Sequence, residues 1–140
     1  MDDSSSKRWL GTAILAGVLY LAATLGSASL AGAAASDQMR FFWRLSAFAV
    51  SAVIFALHIA YEHFSLRHTA RPTAWHVSAG VAFGAFALAL AANIHDLGTT
   101  SGYRPRMLIA LVAWPALTAV PAFVVALLLA AVPGLSRRDK

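Results

Sequence analysis

Long apolar runs separated by short polar clusters set the pattern of this 140-residue chain. Four stretches hold no Asp, Glu, Lys or Arg: 9–36, 45–61, 77–94 and 107–136, of 28, 17, 18 and 30 residues. A hydrocarbon layer of ~30 Å is crossed by about 20 helical residues. The first and last runs exceed that length. The second and third approach it, and flanking aromatics and Arg44 extend them by snorkelling. A soluble helical bundle would show polar outer faces. Residues 108–131 instead carry Thr118 as their one polar side chain besides the indole of Trp114.

The pattern predicts an all-α polytopic membrane protein, with four transmembrane helices in an up-down-up-down antiparallel bundle. The helices are expected over 9–34, 42–64, 74–95 and 106–132, within a transmembrane domain spanning 9–134. A tail of residues 1–8 precedes it and a basic tail, 135–140, follows. The first run differs from a secretory signal, although Lys7 and Arg8 precede it and the Ala-rich stretch 31–35 imitates a cleavage site. Its apolar length far exceeds the 7–15 residues of a signal core, so it is expected to stay uncleaved.

The connections 36–44, 65–73 and 95–106 are short, and the last contains Gly98, Gly102 and Pro105. Short links predict sequential helices as antiparallel neighbours. Trp9, Phe41, Phe42, Trp43, Tyr61, Phe64, Trp75 and Tyr103 fall at run ends, as aromatic belts do. Trp114 lies inside the fourth run. Lys7, Arg8, Arg67, Arg71, Arg137, Arg138 and Lys140 share one predicted side, against Arg40, Arg44, Arg104 and Arg106 on the other. The bias predicts a multi-pass protein of a bacterial cytoplasmic (inner) membrane with both termini in the cytoplasm.

Composition agrees with the pattern. Charged residues make up 12% of the chain, against roughly 25% in soluble domains. The 31 alanines favour helices that approach closely. With no cysteine, this chain has no disulfide, thiolate nucleophile or Cys-ligated metal. The net charge of +5 sits beside apolar runs, which points to lipid head groups and not to nucleic acid.

Two features bear on packing. Gly80 and Gly84 form a GxxxG pair, continued by Ala87 and Ala91, and packing within the chain is the plainer reading over a dimer face. Pro115 and Pro121 predict kinks in the fourth helix.

Ionisable residues inside a membrane are costly and mark candidate sites. Arg44, Ser51 and His58 follow at i, i+7 and i+14, and Glu62 lies four beyond His58, all on one helix face. His63 and His76 are expected at similar depth. His58, Glu62, His63 and His76 therefore form a candidate ligand or metal cluster, since imidazole and carboxylate suit zinc, iron or manganese. The spacing matches neither HExxH nor HxxEH, which excludes those protease motifs. The plainer reading leaves Glu62 and His63 at the interface, against Arg67, Arg71 and head groups. His58 with His76 is also the nearest approach to a bis-histidine haem pair. A quinone would use His58 or His95 with Trp114. Asn93, His95, Asp96, Arg44 and Arg104 form a second polar cluster, expected to tie the two outer loops by a salt bridge from Asp96 to Arg40, Arg44, Arg104 or Arg106. Few polar groups lie at mid-depth, which argues against a proton relay.

The sequence has no phosphate loop, Ser-His-Asp spacing or paired carboxylates. The expected function is that of a non-enzymatic small membrane subunit or scaffold, packing against another membrane protein or itself, among membrane lipids. No cofactor is expected on that reading. The alternative is a redox or metal-binding component, a b-type haem or quinone anchor centred on His58, with haem b or a divalent metal as cofactor. A third reading is a small dimeric transporter.

Overall fold

The computed structural model describes residues 3–99 and 105–132. Regular structure among them is helical throughout: α1 (Asp3–Gly32), α2 (Asp37–Ala60), a π turn that continues α2 (Tyr61–Ser65), α3 (Ala70–Thr99) and α4 (Pro105–Ala130). Each helix starts ahead of its apolar run. The Ser36 hydroxyl accepts the Met39 N–H at 3.2 Å, which caps α2 and starts it at Asp37. Proline opens α4, where a missing N–H loses no hydrogen bond. Apolar pattern marks where a helix must avoid water, while caps mark where it begins.

All four helices are long and apolar enough to cross a membrane, over Lys7–Gly32, Asp37–Ser65, Ala70–Asp96 and Met107–Ala130. Their large side chains turn outward, including Leu15, Phe48, Val112 and Leu117. Continuous apolar surface of this kind is rare on soluble monomers. It is the pattern of a multi-pass membrane protein. The predicted tail 135–140 and Arg104 lie outside the described residues.

The packing order differs from chain order. Helix α1 packs on both α2 and α3, and α3 packs on α4, while α2 and α3 meet only sparsely. Glycine explains the central position of the α1–α3 contact. A Cβ on Gly17 would lie 3.1 Å from the Gly80 carbonyl and the Gly84 nitrogen, and would collide with the Phe83 ring. A Cβ on Gly84 would lie 3.0 Å from the Gly17 carbonyl. Backbone thus meets backbone, and the GxxxG pair is used within the chain. The contacts step together along both helices, Trp9 with His76, Ala13 with Gly80, and Gly17 and Tyr20 with Gly84.

Elsewhere, Ser27 and Ser46 join α1 to α2 at 3.4 Å. The Asn93 amide donates to the carbonyls of Ala89 and Met107, both at 2.8 Å, and so pins α3 to the start of α4. At the other end Trp75 lies against Phe123, beside a small core of Ile59, Ala74, Val77 and Ala126. Pro115 and Pro121 both fall inside α4, which continues as one element through them. With α2 and α4 outside the central pair, a cleft of about 680 Å³ opens between them.

The glycine seam makes a graded prediction. Gly17→Leu should lower stability in detergent by about 1–3 kcal/mol, because overpacking drives the two backbones apart. Gly26→Leu meets nothing within 4 Å and should leave the thermal midpoint unchanged. Equal midpoints for the two variants would show that the seam does not set the fold.

Candidate metal centre

The last turns of α2 and the first of α3 build a polar pocket at one end of the helices. After Ala60 the helix widens, and the Leu66 N–H reaches back five residues to the Tyr61 carbonyl at 3.2 Å. π turns of this kind recur at functional sites. Arg67 then adopts φ 56°, a left-handed conformation that costs a non-glycine residue about 1–2 kcal/mol. That reversal returns the chain over the turn it has just left. The His68 N–H donates to the Glu62 carbonyl at 3.2 Å. Helix α3 starts at Ala70 and brings His76 alongside.

Glu62 is wholly buried. Its Oε2 faces two imidazoles, His68 Nδ1 at 2.6 Å and His76 Nδ1 at 2.8 Å. Its Oε1 faces His58 Nε2 at 3.9 Å, beyond hydrogen-bond reach. Neither ring nitrogen of His58 has a hydrogen-bond partner, nor does Glu62 Oε1, although the His58 side chain is only 2% exposed. Ligand atoms of Glu62, His68 and His76 all lie within 4.8 Å of one another. Trp9 stacks on His76 with ring centroids 4.4 Å apart, and His68 meets the same imidazole edge-on at 4.9 Å. A Cβ on Gly80 would lie 3.0 Å from Cε1 of His58, so this glycine also makes room for the third ring.

A buried carboxylate requires a compensating positive charge or strong hydrogen bonds. Two arrangements supply it here. In one, the Nδ1–H groups of His68 and His76 donate to Oε2, and a proton on an imidazole balances the charge. In the other, a cation replaces those protons. Ligands bound to zinc at about 2.0–2.2 Å stand roughly 3.4 Å apart in a tetrahedron. The two spacings from Glu62 Oε2 to the imidazoles, 2.6 and 2.8 Å, would open by less than about 1 Å to meet that geometry.

The structure brings together His58, Glu62 and His76 of the predicted cluster. His63 packs its ring edge-on against Phe64 at 5.2 Å, and His68 takes the place expected for it beside the carboxylate. The π turn and the Arg67 reversal cause that exchange, and a regular helix gives no sign of either. Four of the five histidines fall within residues 58–76, and that density was the signal available for His68. Trp9, distant in sequence, carried none. Glu62 is buried and its carboxylate faces imidazoles, while Arg67 and Arg71 are exposed. Of the second cluster, Arg104 lies outside the described residues. Arg40 pairs with Asp37 at 3.4 Å, one turn away in α2, and Arg44 is exposed at the cleft. His95 is exposed and Asp96 half-buried, and Asn93 makes the link between α3 and α4.

Comparisons with family models, with curated proteins and with solved structures give no match for the chain.

The pocket predicts an unusual dependence on one carboxylate. Glu62→Ala leaves two imidazole donors facing no acceptor and should destabilise the protein by about 3–5 kcal/mol. Gly80→Ala, which presses on His58, should lose about 1–3 kcal/mol. Thermal denaturation in detergent reads both, and a Glu62→Ala protein as stable as the parent would remove the carboxylate from its central role.

Proposed function

We propose that this chain is inserted as an up-down-up-down four-helix bundle and binds one divalent transition-metal ion through Glu62, His68 and His76, with His58 as a fourth ligand. One observation carries the reading. A fully buried carboxylate has two imidazole nitrogens on one oxygen and an unpartnered imidazole facing the other. Mixed imidazole–carboxylate sets suit zinc, iron(II) and manganese(II). A haem held between His58 and His76 is less suited, because its macrocycle would occupy the space of the Glu62 carboxylate.

The topology rests on helix registers. Contacts between α1 and α3 rise together in number, while Ser27–Ser46 and Asn93–Met107 join the end of one helix to the start of the next. Lys and Arg counts support cytoplasmic termini. A metal-binding chain of this size suits a subunit that packs against another membrane protein or a second copy. The role is binding and not catalysis, since the sequence offers no paired carboxylates or nucleophile triad.

Protein purified in mild detergent, stripped with chelator and reloaded with Zn²⁺, Fe²⁺ or Mn²⁺ should hold one ion per chain by elemental analysis. Glu62→Gln, His68→Gln and His76→Gln should each weaken binding by more than about tenfold, the least that disturbing a site's supporting shell costs. His95→Gln, outside the cluster, should bind as the parent does. Affinity should fall as pH is lowered from 7 to 5, because protons compete with the metal for the same imidazoles. A folded protein that takes up none of these ions, or a Glu62→Gln variant with unchanged affinity, would overturn the proposal.

A further inference from the structure

We propose that the lateral cleft between α2 and α4 seats one acyl chain of an anionic phospholipid, with its phosphate on Arg44. The inference is independent of metal binding. All four helices contribute to the cleft, and its volume of about 680 Å³ lies in the range of small-molecule sites. Small residues hollow it out, among them Ala47, Ala52, Gly84, Ala85 and Ala122. Two of its hydroxyls are already committed. Thr24 donates to the Tyr20 carbonyl at 2.9 Å, and Thr118 to the Trp114 carbonyl at 2.9 Å. The Tyr20 hydroxyl, also on a lining residue, has no hydrogen-bond partner, but the wall is otherwise mostly apolar and suits hydrocarbon better than a polar solute.

Charge and length select the occupant. Arg44 lines the cleft near the start of α2, is exposed, and makes no ion pair with any described residue. A guanidinium at that position matches a phosphate bidentately. Phe41, Phe42 and Trp43 precede it, as aromatics do at head-group level. Along α2 the cleft extends from Arg44 to Phe55, about 16 Å at 1.5 Å per residue. That is half of a ~30 Å hydrocarbon core, the depth of one leaflet. A lipid whose phosphate rests on Arg44 thus has a groove of matching length for one chain.

The test uses the full chain in vesicles of phosphatidylcholine containing a minor share of phosphatidylglycerol. The protein is extracted in mild detergent and its retained lipids are counted by native mass spectrometry. One phosphatidylglycerol per chain is expected, enriched about fivefold over the vesicle ratio, the preference that one basic residue gives near an anionic surface. Arg44→Gln should return the ratio to that of the vesicle, and Arg44→Lys should keep most of the enrichment. Ala52→Phe with Ala122→Phe fills the cleft from outside the packed seam and should remove retained lipid of both kinds at an unchanged thermal midpoint. Retention without anionic preference, enrichment that survives Arg44→Gln, lipid that survives the filled cleft, or a free fatty acid or protein chain found in its place would each overturn the assignment.

Discussion

Placing a carboxylate where no water reaches it is the most demanding requirement in this molecule. An isolated buried charge is costly enough that a protein normally pairs it or neutralises it. Glu62 is buried completely and meets imidazoles from three separate stretches of chain: the end of α2, the reversal after it and the start of α3. The local backbone follows from that requirement. A π turn and a left-handed Arg67 are both unfavourable alone, and together they return His68 to the carboxylate. Strain of this kind persists where the surroundings over-determine it.

The seam between α1 and α3 supports the same pocket. Gly80 lets α3 approach the Ala13 carbonyl and also leaves the space that the His58 ring fills. One turn toward the α1 N-terminus, Trp9 lies flat on His76. Backbone contact and imidazole placement are thus coupled through a single side-chain-free position. In lipid, where apolar burial gives little drive for helix association, close van der Waals contact has to supply it.

The two ends of the helical array differ in chemistry. One end gathers titratable side chains around a buried carboxylate. Farther along, the array opens into an apolar cleft between α2 and α4, which flank the α1–α3 pair. Large apolar side chains cover the outer surfaces, and the small residues are kept for contacts and hollows. This distribution inverts that of a soluble core, where bulky residues fill the interior.

Apolar run length alone determined the helical class, the number of helices and their suitability for a membrane, because a chain cannot leave so many consecutive apolar residues in water. The sequence also placed His58, Glu62 and His76 in one neighbourhood, since i, i+4 spacing and a short link to the next helix bring them to the same end. It did not distinguish His63 from His68. That choice depends on a widened turn and a reversed residue, which the pocket selects and no local preference announces. Nor did it show that α1 lies between α2 and α3, or that Trp9 covers His76. Those facts arise from backbone contact at Gly17, Gly80 and Gly84, and contact between distant glycines is a property of the assembled fold.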